Sequence, residues 1–213
     1  MIKYIIFDFD GTLVDSKDIA ISVINQLAVK YNYEKLSQEK IKELRKVSIK
    51  ERCKTLGFPL YKIPFAVIEF LALYKKFTHQ LKLFPGIKDM LEKLVGSGYR
   101  LAVISSNAEE TIREFFKNKG IYSIDEVYCS NNVFGKAQVI KRFLKKHKLH
   151  QSEVLYIGDE LRDIVACRQV SIKIIWVNWG FDSIEVINKV SPDYVASTPN
   201  DIITSVSLIN HPL

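Results

Sequence analysis

An apolar run, Tyr4 to Phe7, leads straight into Asp8-Phe9-Asp10-Gly11-Thr12. A carboxylate buried without a partner must neutralise or find a counter-charge, so two of them behind a buried run demand a reason. In an extended chain, residues two apart share a face, which would turn Asp8 and Asp10 toward one pocket. At about 4 Å, two unit charges repel by roughly 4 kcal/mol at an effective dielectric of 20. Such a pair calls for a cation or for one retained proton. The plainer alternative is an ordinary turn at Asp10-Gly11-Thr12 with Asp8 exposed.

Three further places carry the same kind of chemistry. Gly158-Asp159-Glu160-Leu161-Arg162-Asp163 follows the apolar run Val154 to Ile157, placing Asp159 at a strand end and Asp163 one helical turn later. Taken alone it could be a helix start whose dipole favours acids. Together with Asp8 and Asp10 it makes four carboxylates, which suits Mg²⁺, an ion that prefers hard oxygen ligands plus waters. In Val103-Ile104-Ser105-Ser106-Asn107-Ala108-Glu109-Glu110, Ser106 or Asn107 could cap the next helix, with Glu109 or Glu110 at the capping-box position. Alternatively, the hydroxyl and the free helix amides could hold a phosphate. Finally Lys136, after Phe134-Gly135, opens a helical pattern, and beside an anionic pocket a lysine neutralises a ligand as a point charge. Carboxylate pair, hydroxyl, lysine and carboxylate pair each fall at or just after the end of an expected strand.

The elements that must position these groups read as α/β. Strand patterns at Tyr99–Ser105, Glu126–Cys129, Glu153–Gly158, Ile172–Val177 and Asp193–Ala196 alternate with helical patterns at Gly86–Val95, Glu109–Lys119, Lys136–Lys146, Arg162–Gln169 and Asp201–Leu208. Near-continuous apolar strands between helices predict a doubly wound, Rossmann-like parallel sheet covered on both faces, whose ligands bind at the carboxyl ends of its strands. Residues 16–82 read differently. Ile19, Ala20, Val23, Ile24, Leu27, Ala28 and Tyr31 repeat at helical spacing. Helices are then expected over Ser37–Val47, Ser48–Gly57 and a long stretch from Pro64 to Leu81. We therefore expect a core formed by residues 1–15 and 83–213, with an all-helical cap, 16–82, inserted after the first strand.

Bulk properties narrow the class. A chain of 213 residues, 47% hydrophobic and 26% charged, has the composition of a globular protein with a full core. No apolar run approaches the roughly 18 residues needed to span a bilayer, and the strand pattern starts without signal-peptide architecture. Three scattered cysteines, Cys53, Cys129 and Cys167, point to a reducing cytoplasm. The net charge of +7 concentrates in Gly135–His150. There Val139, Ile140, Phe143, Leu144 and His147 share one helical face, while Lys141, Arg142, Lys145, Lys146 and Lys148 lie elsewhere. Without interleaved aromatics this reads as a solvated face and not a nucleic-acid platform. A mildly basic surface suits anionic metabolites. We expect no nucleic-acid or membrane partner, and a monomer or weak homodimer.

The order and content of these motifs resemble the haloacid dehalogenase-like hydrolase superfamily over nearly the whole chain. Asp8-Phe9-Asp10-Gly11-Thr12 is similar to its nucleophile motif, Val103–Ser106 to its hydroxyl motif, Gly135-Lys136 to its lysine motif and Gly158–Asp163 to its acidic motif. The helical segment after the first strand resembles that family's four-helix cap. Within the superfamily, the stretches Asp163–Phe181 and Pro192–Thr198 resemble the phosphoglycolate phosphatase and β-phosphoglucomutase branch. Two positions depart from it. Ser171 stands where that branch commonly has glycine, and Ile49 falls where the mutase carries arginine.

The resemblance implies an Mg²⁺-dependent phosphatase acting on a small phosphorylated metabolite such as phosphoglycolate. Asp8 would be the nucleophile that forms an aspartyl-phosphate, and Asp10 the general acid and base. Mg²⁺ would be held by Asp8, Asp159 and the Asp10 carbonyl. Ser105, Lys136 and the amides around Gly11 would hold the phosphoryl oxygens, supported by Thr12, Ser106, Asn107 and Asp163. The dehalogenase branch has no such acid two residues after its nucleophile, because a halide leaves unprotonated. Other readings remain: a phosphosugar mutase, a member that has lost turnover and only binds, and a receiver domain, which lacks both the Asp-Gly-Thr turn and a cap. In the cap, Arg45, Lys46, Lys50 and Arg52 are candidates for selecting the substrate.

Overall fold

The protein is seen here as a computed structural model that describes residues 1–130 and 132–210. β1 (Tyr4–Phe7) is buried along its whole length and ends where the aspartates begin. The chain leaves through β2 (Val14–Asp15) and runs through four helices, α1 (Lys17–Lys30), α2 (Gln38–Leu44), α3 (Ile49–Thr55) and α4 (Ile63–Tyr74). It returns through β3 (Lys82–Leu83), which pairs antiparallel with β2. This two-stranded ribbon therefore brackets the helical segment at both its exit and its return.

From there strands and helices alternate: α5 (Ile87–Gly96), β4 (Arg100–Ser105), α6 (Glu109–Lys119), β5 (Glu126–Cys129), α7 (Lys136–His147), β6 (Val154–Gly158), α8 (Leu161–Gln169), β7 (Lys173–Val177), α9 (Ile184–Ile187), β8 (Tyr194–Ala196) and α10 (Pro199–Asn210). Six strands pair in parallel in the order β5-β4-β1-β6-β7-β8. Successive side chains of a strand point to opposite faces, and the sheet shows it. Ile5, Phe7, Leu101, Val103, Leu155 and Ile157 face α5, α6 and α10. Tyr4, Ile6, Ala102, Ile104, Tyr156 and Trp176 face α7, α8 and α9. β1 is thus central, and the strand order reverses at it. In open α/β sheets the ligand crevice lies outside the carboxyl end of such a switch point, which here is Asp8.

The strand boundaries agree with expectation to within a residue. Three features were not expected: the β2–β3 ribbon, the end of α4 and the short helix α9. The run from Pro64 to Leu81 is not one helix: α4 stops at Tyr74 and tightens into a 3₁₀ turn over Lys75–Gln80. There the Thr78 hydroxyl donates to the Lys75 carbonyl at 2.9 Å, an alternative to helical bonding that threonine offers. α9 carries too few residues to show a period. Ser171 adopts φ 57°, the left-handed region where glycine is at ease, so its serine is a strained choice at the turn into β7.

Ile5 is fully buried on the central strand. Ile5→Ala should cost about 2–5 kcal/mol in urea unfolding; a smaller loss would show that this face of β1 is not packed as described.

Candidate active site

β1 ends at Phe7, but its ladder carries one residue further: the Asp8 amide donates to the Ile157 carbonyl at 2.8 Å. Asp8 is thereby fixed between β4 and β6 with its side chain buried. Its Oδ1 accepts the Phe9 amide at 2.7 Å and its Oδ2 accepts Lys136 Nζ at 2.5 Å. Lys136 is the first residue of α7 and is 1% exposed; the same ammonium reaches Asp163 Oδ1 at 2.5 Å. Burial alone would lower this lysine's pKa, but Asp163 and Asp8 outweigh it and the net direction is upward, so it stays charged. One ammonium cannot satisfy every acid nearby. Burial, helped by Asp8, lifts Asp163 to about 6 against the pull of Lys136.

Asp159 follows the end of β6 and is fully buried. Its Oδ1 accepts the Thr12 hydroxyl at 2.8 Å and its Oδ2 the Phe181 amide at 2.7 Å, while its carbonyl accepts Trp176 Nε1 at 2.7 Å. Two loops come this close because both present bare backbone. A Cβ on Gly11, where φ is 77°, would overlap the Asp159 carboxylate, and one on Gly180 would overlap the Asp159 Cβ. Burial, then Glu160, Asp8 and Asp163, hold the Asp159 carboxyl well above the ordinary range.

Oxygens of Asp8, Glu160 and Asp163 gather within 4.8 Å of one another. Glu160 was not among the expected ligands; burial works to raise its pKa, but Arg162, Arg52 and Lys136 prevail and lower it. Arg162 pairs with Glu160 at 2.5 Å and donates to the Ser106 hydroxyl oxygen at 2.8 Å. Four carboxylates (Asp8, Asp159, Glu160, Asp163) with at most 12% side-chain exposure thus face three cations, Lys136, Arg52 and Arg162, of at most 19% exposure. Negative charge in excess, offered entirely through oxygen, fits a hard divalent cation.

Asp10 is placed by the loop. The strand stops at Phe7, so alternation does not set its direction, and its partners differ from those of Asp8. The Tyr74 hydroxyl, from the end of α4, donates to Oδ1; Asn107 Nδ2 donates to Oδ2 at 2.8 Å. Neither Ser106 nor Asn107 caps α6, which removes the plainer of the two readings of this stretch. The N-cap is Ala108, with no side-chain bond. Asn107 is drawn to Asp10 and instead accepts the Ala108 amide on its Oδ1 at 2.7 Å, while Ser106 is held by Arg162. Ser105 is buried, its hydroxyl oxygen accepting the Asn107 amide at 3.1 Å.

The four cations of the helical segment named as selectivity candidates separate. Arg45 donates to the carbonyls of Phe181 at 2.6 Å and Gly180 at 3.0 Å. Arg52 pairs with Asp182 and, at 3.6 Å, with Glu160, lying 4.7 Å above the Phe181 ring. Lys46 reaches Glu185 at 3.6 Å on the surface. Lys50 has no ion pair among the described residues and lines, with Ile49, Phe134, Lys136, Glu160 and Arg162, a cleft of about 510 Å³ between α3 and the ends of α7 and α8. Tyr74, Glu160, Arg162 and Asp182 went unread in the sequence. Glu160 and Arg162 at least stand inside the acidic motif; nothing local marks Tyr74 or Asp182.

A sequence profile described as haloacid dehalogenase-like hydrolase matches residues 5–177. The chain is 28% identical over 204 residues to the phosphoglycolate phosphatase of Synechococcus elongatus, covering 95% of this chain and 96% of that one. It is 21% identical over 223 residues to the pyrophosphatase PpaX of Bacillus mycoides, covering 98% and 99%. A haloacid dehalogenase-like hydrolase from Streptococcus pneumoniae has the same fold, with a TM-score of 0.79 at 28% identity over 96% of this chain and 98% of that one. The chain belongs to the haloacid dehalogenase-like hydrolases, as an enzyme whose curated relatives are named for phosphatase and pyrophosphatase activity.

Lys136→Met would leave Asp8 and Asp163 without their shared ammonium. An uncompensated buried charge costs about 3–5 kcal/mol, and urea unfolding at pH 7 with a chelator present should show that loss. An unchanged midpoint would mean the ammonium does not hold the two acids.

Proposed function

We propose that the protein is an Mg²⁺-dependent phosphatase that hydrolyses a small phosphorylated metabolite of the phosphoglycolate kind through an aspartyl-phosphate on Asp8. One observation carries this reading: Asp8, at the switch point, sits in a carboxylate-rich crevice against a buried lysine, with a second acid, Asp10, held two residues away. An Asp8 oxygen forms the bond to phosphorus as the ester P–O bond breaks, dividing one displacement into two. Asp10 gives its proton to the leaving alkoxide. It then takes one from the water that attacks the aspartyl-phosphate, which frees inorganic phosphate and restores Asp8.

Lys136, kept in place by Asp163, offers its charge to the phosphoryl oxygens; the Ser105 hydroxyl and the amides of Gly11 and Thr12 add donors. Ser106 and Asn107 support from behind through Arg162 and Asp10. Asp8, Asp159 and the Asp10 carbonyl would hold Mg²⁺, with Glu160 and Asp163 close by; when bound it neutralises charge on the transferring group. Residues 16–82 act as the cap and residues 1–15 with 83–213 as the core. A cleft lined by Ile49 and Lys50 from the one and by Lys136 and Glu160 from the other adjoins Asp8 through Lys136, and Lys50 is the cap cation we assign to the far end of the substrate. Ile49 lines the same cleft, and an apolar side chain there favours a phosphatase over a mutase that must grip a second phosphate. We place this activity in the cytoplasm, in a monomer or weak homodimer.

Turnover of p-nitrophenyl phosphate with Mg²⁺ should vanish in EDTA and fall about a thousandfold or more in Asp8→Asn. Activity surviving either change would refute the mechanism. A panel of phosphorylated metabolites at micromolar concentration should then rank phosphoglycolate-like esters highest in kcat/KM.

A further inference from the structure

We infer that Tyr74 is a positioning residue for Asp10, holding one oxygen of the acid from the helical segment so that its proton is aimed at the leaving oxygen. The inference rests on the phosphatase reading. Tyr74 is the last residue of α4 and its one buried residue, with 1% exposure. Its ring stacks on Phe70 at 5.6 Å and its hydroxyl points out of the helical segment to Asp10 Oδ1. Asn107 holds the other oxygen from the core side at 2.8 Å. Burial, and then the Asp10 charge, push the Tyr74 phenol far above its ordinary range, so it keeps the proton that it donates to Asp10.

Two donors, one on each oxygen, fix the plane and direction of a carboxylate where one leaves it free to turn. Proton transfer demands hydrogen-bond reach, and misplacing a reacting group by about 1 Å can cost about a hundredfold. One of these donors belongs to residues 16–82 and the other to β4's end. No other side chain of α4 reaches the acid among the described residues.

Leaving-group basicity separates this role from simple packing. p-Nitrophenolate departs as a stable anion, whereas phenolate needs more help from an acid, and the two esters have nearly the same shape. Tyr74→Phe keeps the ring and its contact with Phe70; a thermal melt verifies the fold. The variant's fall in kcat/KM on phenyl phosphate should exceed its fall on p-nitrophenyl phosphate by at least about fivefold. Asn107→Ala, which withdraws the other donor, should show the same split. Equal falls on both esters, or none, would overturn the inference while leaving the phosphatase reading intact. A wild-type protein that turns over neither ester with Mg²⁺ would sink both.

Discussion

The Lys136 ammonium, shared by Asp8 and Asp163, is the contact on which the rest of the molecule's chemistry depends. It joins three elements that are far apart in the chain: the end of β1, the start of α7 and the first turn of α8. A buried ion pair contributes little net stability, because desolvation offsets most of the attraction, yet removing one member is expensive. The pair therefore constrains more than it stabilises. It holds a carboxylate where a sheet of other composition would tolerate only apolar side chains.

That constraint shapes the loops around it. Gly11 and Gly180 are bare because Asp159 occupies the space a Cβ would need. Asp163 serves twice, taking Lys136 on Oδ1 and the Glu160 amide on Oδ2 at 3.1 Å, so the acid that orients the lysine also starts helix α8. Asp182 does the same at the neighbouring amide. It accepts the Leu161 N–H at 2.7 Å and pairs with Arg52 from α3; burial, then Glu160, lift its pKa to about 6 against the pull of Arg52. Through Arg52, Arg45 and Tyr74, the helical segment reaches Asp182, the Gly180–Phe181 carbonyls and Asp10.

The parallel sheet was legible because its strands are buried on both faces and so read as unbroken apolar runs. The helices that cover it showed their period in Ile112, Phe115 and Phe116 or in Val139, Ile140 and Phe143. Asp8 and Asp159 stood out for the opposite reason, since charge at the end of a buried run is anomalous locally; Lys136 and Asp163 stood out only through the order of the motifs. Capping by Ser106 or Asn107 was a fair local inference that failed, since a better partner for Asn107, the Asp10 carboxylate, comes from a different strand end. The single helix expected over Pro64–Leu81 failed similarly at Lys75, where composition remained helical but backbone bonding changed.

By itself the amino-acid sequence determined which residues carry charge, which runs are buried and in what order the strand ends appear, all properties set within a few residues. Only the tertiary structure decided which of those charges meet. Tyr74 lies 64 residues from Asp10, Arg52 130 from Asp182 and Lys136 128 from Asp8. Such pairings are set by sheet order and by the docking of residues 16–82, and neither leaves a local periodic trace, because a side chain's partner across the fold imposes no spacing on its neighbours in the chain.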